Sequence, residues 1–141
     1  MKKAKRVLVG LKTLEHAPEL TEVACRLSAS GASLILVHVI ELPDVTPLDA
    51  DVPDLEAMAG KILRAAERVA CRHGLKFKSS VFRAHSAGEA LLSEMTEKKT
   101  DLAVFGYHHK RTLGEILLGT SAQYLSHHAP CHVLFVVPPL M

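Results

Sequence analysis

"DLAVFGYHHKRTLGEILLGTSAQYL", residues 101–125, holds the key to this chain. "DLAVF" is a short apolar run that stops at Gly106; a basic loop follows, and Gly119-Thr120 opens a stretch that carries Leu125 and closes before Pro130. Strand, connection and helix in this order are what a parallel βαβ unit uses, and Pro130 cannot continue the helix. A residue without Cβ at Gly106 permits a sharp turn or the close approach of a ligand. At Gly119-Thr120 the free amides of a helix start and the positive end of its dipole favour an anion, and Ser121 adds a hydroxyl. The stretch reads as a phosphate cradle, although the same succession also serves as a plain connection.

Working outward, four further runs rich in Val, Ile, Leu and Phe repeat the pattern: "RVLVGL" (6–11), "SLILVHVI" (33–40), "FKSSVFRA" (77–84) and "HVLFVV" (132–137). All but 77–84 are nearly continuously apolar, as strands covered on both faces are. Residues 77–84 alternate, which predicts a sheet edge. Between the first two runs, "APELTEVACRLSAS" (17–30) predicts a helix with Pro18 early, Leu20, Val23, Ala24 and Leu27 inward, and a stop at Gly31. The second helix is marked by Leu55, Met58, Ala59, Ile62, Leu63, Ala66, Val69 and Ala70 at helical spacing, and Gly74 ends it. "SAGE" (86–89) has capping-box spacing and opens a third helix with Leu91, Leu92 and Met95 inward. "LPDVTPLDADVPD" (42–54) reads as a surface loop.

Parallel strands joined by right-handed crossovers give an α/β three-layer sandwich around a five-stranded sheet. Strand orders 2-1-3-4-5 and 3-2-1-4-5 both suit this pattern, and in either a ligand sits beyond the carboxyl ends where the winding reverses. In the second order the loops after Leu11 and Phe105 face each other there.

Composition narrows the function classes. With 141 residues the chain is expected to form one domain, residues 1–141, able to bury about 70% of its unfolded surface. Seventeen basic against 15 acidic residues leave a formal charge of +2, too balanced for a DNA binder, and four Phe, two Tyr and no Trp offer no stacking platform for nucleic acid. "MKKAKR" runs straight into the first strand without a signal-peptide core, and no apolar run approaches a membrane span. The expectation is a soluble, cytoplasmic protein in contact with neither membrane nor nucleic acid. Cys25, Cys71 and Cys131 match no disulfide framework or metal motif and are expected to be reduced and buried. No metal site is expected: His108-His109 and His127-His128 are sequence neighbours that diverge by about 100° on a helix. His38 reads as a hydrogen-bonded core histidine.

The spacing Gly106, two residues, His109, nine residues, Gly119-Thr120 resembles G-x2-G-x9-G-[ST] of the nucleotide-binding universal stress proteins. "RVLVGL", "ILVHVIE", "DLAVFGYHHK", "LGEILLGTSA" and "APCHVLFVV" extend the likeness over essentially the whole chain. The resemblance implies the 3-2-1-4-5 order of a Rossmann-like, adenine nucleotide alpha hydrolase-like fold. It also implies a homodimer paired through the last strand (His132–Val137), an unknown regulatory protein partner, and ATP or another adenine nucleotide held between the first and fourth-strand loops, with Mg only as the companion of ATP. The implied binding residues are Gly10, Leu11, Lys12, Val39, Phe105, Gly106, His108, His109, Gly119, Thr120 and Ser121.

Three positions depart from the binding pattern: Lys12 stands where that branch has an Asp, His109 replaces a Gly, and Ala122 replaces a hydroxyl. Weakened affinity is expected, partly offset by Lys12, Lys110 and Arg111 as cations toward a polyphosphate. Each also has a plainer reading: Lys12 as an exposed loop residue, Lys110-Arg111 as a solvated pair, Ser121 as a helix cap. The alternative function is a nucleotide-free dimeric interaction or chaperone-like module. An enzyme is not expected: "VGLKTLEH" lacks the Ser-Gly-Gly loop of ATP pyrophosphatases, and neither paired carboxylates nor an activated Ser or Cys falls at the cleft.

Overall fold

The computed structural model describes residues 2–106 and 120–137. Strands β1 (Ala4–Gly10), β2 (Ser28–Glu41), β3 (Lys76–Ala84), β4 (Leu102–Gly106) and β5 (His132–Val136) alternate with helices α1 (Ala17–Arg26), α2 (Pro53–Arg72), α3 (Ala87–Glu97) and α4 (Thr120–His128). The sheet order is β3-β2-β1-β4-β5, and every pairing is parallel. Periodicity left two orders open; the 3-2-1-4-5 order that the resemblance implies is the one formed. The alternating strand β3 lies at an edge, as its pattern predicts.

Side chains of successive strand residues point to opposite faces. On one face Val7, Val9, Leu34, Leu36, Leu102 and Val104 meet Leu20 and Ala24 of α1 and Ile62, Ala66 and Val69 of α2. On the other Leu8, Val37, Ala103 and Phe105 meet Leu91 and Met95 of α3 and Leu125 of α4.

Two helix ends use the same left-handed closure. Gly74 (φ 67°) follows α2, with the Gly74 amide donating to Cys71 O at 3.0 Å and the Leu75 amide to Ala70 O at 3.2 Å. Lys99 (φ 52°) follows α3, with its amide on Thr96 O and that of Thr100 on Met95 O. Both are Schellman closures, which glycine enters without a Cβ penalty and lysine does not.

Several sequence expectations are corrected. Helix α1 ends at Arg26; the Ser28 hydroxyl bonds Ala24 O at 2.7 Å, and β2 begins there. Gly31 (φ 78°) lies within β2, where pairing jumps from Ala4↔Ser28 to Arg6↔Ser33. Its backbone freedom serves a strand irregularity, not a helix stop. The apolar stripe of α2 begins at Ala59, since Leu55 and Met58 are 45% and 42% exposed. At this end Ala59 packs with Ile40, Leu42 and Val52. Cys25 is buried, Cys131 half-buried and Cys71 exposed; burial pushes the Cys25 thiol up to about 11. Among the described residues no helix is long and apolar enough to cross a membrane.

Candidate functional site

At the carboxyl ends of the strands a cleft of about 290 Å³ opens on the α3/α4 side of the sheet, at the small end of the ~300–1,000 Å³ that ligand sites occupy. Its floor is set by register: Gly10 pairs with Val37 on one side and with Phe105 on the other. A Cβ on Gly10 would lie 2.4 Å from Phe105 Cδ1. The missing side chain is what lets the Phe105 ring lie across β1, and that ring also stands 5.9 Å from Phe135.

Two walls rise from this floor. Strand β2 continues past the level of Gly10 from Val37 to Glu41, and Val37, Val39 and Glu41, at alternate positions of one strand face, all line the cleft. Behind them stands the start of α3, where Ser86 accepts the Glu89 amide at 3.3 Å and the Glu41 carboxylate Oε2 accepts the Ala87 amide at 2.7 Å. The opposite wall is the first turn of α4, with Thr120, Ser121 and Ala122. One helix start in the cleft therefore already holds a carboxylate of the protein, while the other presents hydroxyl side chains. Ser121 lies inside the first turn of α4, not at the residue before it.

The lip between the walls is the segment after β1. The Leu11 amide donates to Val37 O at 2.8 Å, and His38, 8% exposed, donates from Nδ1 to Leu11 O at 2.6 Å. A carbonyl can only accept, so this bond places the proton on Nδ1. The reading of His38 as a hydrogen-bonded core residue is borne out, and the bond gives it a positioning role at the lip. Lys12, next along, is exposed on the cleft rim and forms no ion pair among the described residues.

Gly10, Leu11, Lys12, Val39, Phe105, Gly106, Thr120 and Ser121 are thus brought together around one space. His108, His109 and Gly119, with Lys110 and Arg111, lie outside the described residues. The side chain of Leu11 is 3% exposed and belongs to the core beneath α1. A Cβ on Gly106 would stand 3.0 Å from Leu20 Cδ1, so this glycine answers the packing of α1. Sequence reasoning missed Glu41, Ala87, Leu91 and Phe135 as lining residues; a carboxylate at the end of the second strand was the available signal. Among the described residues no group of three or more His, Cys, Asp or Glu is placed to hold a metal ion.

The comparisons agree with this architecture. The model of the "Universal stress protein family" matches residues 3–137. The "Universal stress protein in QAH/OAS sulfhydrylase 3'region" of Thermus aquaticus is 29% identical over 138 residues, 94% of this chain and 98% of that one. Among solved structures, a universal stress protein in complex with cAMP is similar at TM-score 0.73 and 22% identity, covering 97% of this chain and 99% of that one. A universal stress protein family protein from Arabidopsis thaliana with AMP bound is similar at TM-score 0.66 and 17% identity, covering 96% and 92%.

Proposed function

The chain belongs to the universal stress protein family, and from that premise we propose that it is a regulatory module that binds an adenine nucleotide weakly at the carboxyl ends of β1 and β4. The observation that carries this reading is the pairing of walls. The first turn of α4, with Thr120 and Ser121, faces an apolar strip of Val39 and Phe105 across one cleft. Amides and hydroxyls at a helix start suit a phosphate, and the strip suits a base. Two structurally similar family members carry cAMP and AMP. ATP, with Mg as its companion, is the larger ligand of the same class.

The module acts without turnover, through a nucleotide that binds two conformations of a dimer unequally. Strand β5 supports the dimer: it lies at the sheet edge, and a second copy pairing with it would satisfy the free edge. A cytoplasmic location and a protein partner that reads the state complete the proposal.

Isothermal titration with AMP, ADP and ATP tests it. Weak saturable binding is expected, and Lys12→Asp, restoring the residue that the resemblance implies, is expected to tighten it about tenfold. No heat and no thermal shift at millimolar ligand leave the nucleotide-free dimeric interaction module, which Lys12 and Ala122 favour. Sedimentation velocity that finds only monomer removes the dimer.

A further inference from the structure

Glu41 is the charged wall residue for which the proposed phosphate subsite has no use. It ends β2, lines the cleft two residues beyond Val39, and is held at one oxygen: Oε2 takes the Ala87 amide at 2.7 Å. The start of α3 favours its charge. Glu41 is exposed, and among the described residues Oε1 has no hydrogen-bond donor, so the carboxylate, held at Oε2, keeps one acceptor available to a ligand in the cleft that it lines.

Its place decides which part of a ligand it meets. Strands β2 and β4 flank β1, so their carboxyl ends stand about 10 Å apart, two interstrand spacings of ~4.8 Å, and Thr120 and Ser121 of α4 line the same cleft as Glu41. That span is comparable to the length of a nucleoside monophosphate from phosphorus to the far edge of its base. With phosphate on Thr120 and Ser121 and the ring on Val39 and Phe105, the base edge reaches Glu41. The carboxylate also keeps phosphate away from α3, which sets the direction of the ligand.

We propose that Glu41 is a specificity-determining residue that selects a purine whose six-position carries an amine over one that carries an oxo group. This rests on the nucleotide reading above. An ionised carboxylate only accepts hydrogen bonds. The adenine amine donates to Oε1, whereas the oxygen of hypoxanthine at the same place is a second acceptor, and its neighbouring N1–H reaches the carboxylate only if the base shifts in the cleft.

The test is titration of the intact protein with AMP, IMP and the N6,N6-dimethyl derivative of AMP, then of Glu41→Gln. Wild type is expected to bind AMP about tenfold or more tighter than IMP, and the dimethyl derivative, with no amine hydrogen, to lose a similar factor. The glutamine keeps an oxygen for the Ala87 amide and turns an NH2 group toward the base, so the variant is expected to bind IMP as well as AMP or better. A merely structural Glu41 would weaken both ligands together. Equal affinity of wild type for AMP, IMP and the dimethyl derivative overturns the assignment while leaving nucleotide binding in place, and it needs no variant to fold. An unchanged AMP to IMP ratio in Glu41→Gln overturns it as well. Absence of binding by all three ligands removes the nucleotide reading itself, and this inference with it.

Discussion

The two faces of the sheet are built from the same strands and finished differently. Toward α1 and α2, the core runs without interruption from Val7, Val9, Leu34 and Leu36 to Ile62, Ala66 and Val69, all at most 2% exposed, and α2 closes on Gly74. Toward α3 and α4 the core is smaller among the described residues. Here α3 closes on Lys99, and the buried Glu94 Oε1 has no hydrogen-bond partner among the described residues, with Lys98 Nζ 3.9 Å away. Above Phe105 and Leu91 this second face is left open as the cleft. Among the described residues one face is filled and the other is left with an open cleft.

Substitutions can break or sharpen this contrast. The largest effect is expected for Ile62→Ala, about 2–5 kcal/mol in urea or thermal unfolding, because a cavity would be left in a filled core. Leu91→Ala, on the cleft wall and 8% exposed, is expected to fall at the low end of that range, since the open cleft already removes neighbours on one side. A Leu91→Ala loss equal to that of Ile62→Ala would show both faces equally packed.

Next comes Gly10→Ala, expected to cost about 1–3 kcal/mol because the added methyl collides with the Phe105 ring. Adding Phe105→Leu to it is expected to recover part of the loss. Strict additivity in that double-mutant cycle would deny the contact.

A smaller change of opposite sign is expected for Lys99→Gly. It relieves a left-handed lysine at about 1–2 kcal/mol and gives part back as chain entropy, for a net gain of roughly 0.5–1 kcal/mol in the free energy of unfolding, read as a raised midpoint.

The smallest concerns the α1/α2 face. Glu22 accepts from His73 at 2.7 Å and from Arg26 at 3.1 Å, and these bonds, the His73 one foremost, hold its carboxyl below the usual range. A depressed acid contributes stability above its unfolded pKa and loses it as pH falls through the folded value. Glu22→Gln is therefore expected to lower Tm slightly at neutral pH and to match wild type in acid. A difference that persists in acid denies the linkage.

Much of the fold was legible. Val7 to Val9, Leu34 to Val37 and Leu102 to Phe105 announced buried parallel strands by composition, and Gly74 announced the end of α2. What failed was local punctuation. Gly31 looked like a helix stop because Ala29 before it is a good helix former, but the pairing of Ser28 with Ala4 took the chain into β2 earlier. Leu55 and Met58 fitted the helical period, which cannot tell how far the covering sheet extends. At the site, Gly10, Lys12, Phe105 and Thr120 were legible as ends of elements that must converge. Glu41 was legible only as a carboxylate at the end of the second strand; that it seats on the Ala87 amide was not, since the two are remote in sequence.

By itself the sequence determined the alternation of strands and helices and the carboxyl-end location of the cleft, because hydrophobic period and chain handedness are local properties that constrain topology. Strand order was not fixed by periodicity and came only from the resemblance; the tertiary structure alone decided the contact of Phe105 with Gly10 and of Leu20 with Gly106, and which helix start in the cleft Glu41 occupies. Those depend on distances between segments far apart in the chain, and no pattern within one segment encodes a distance to another.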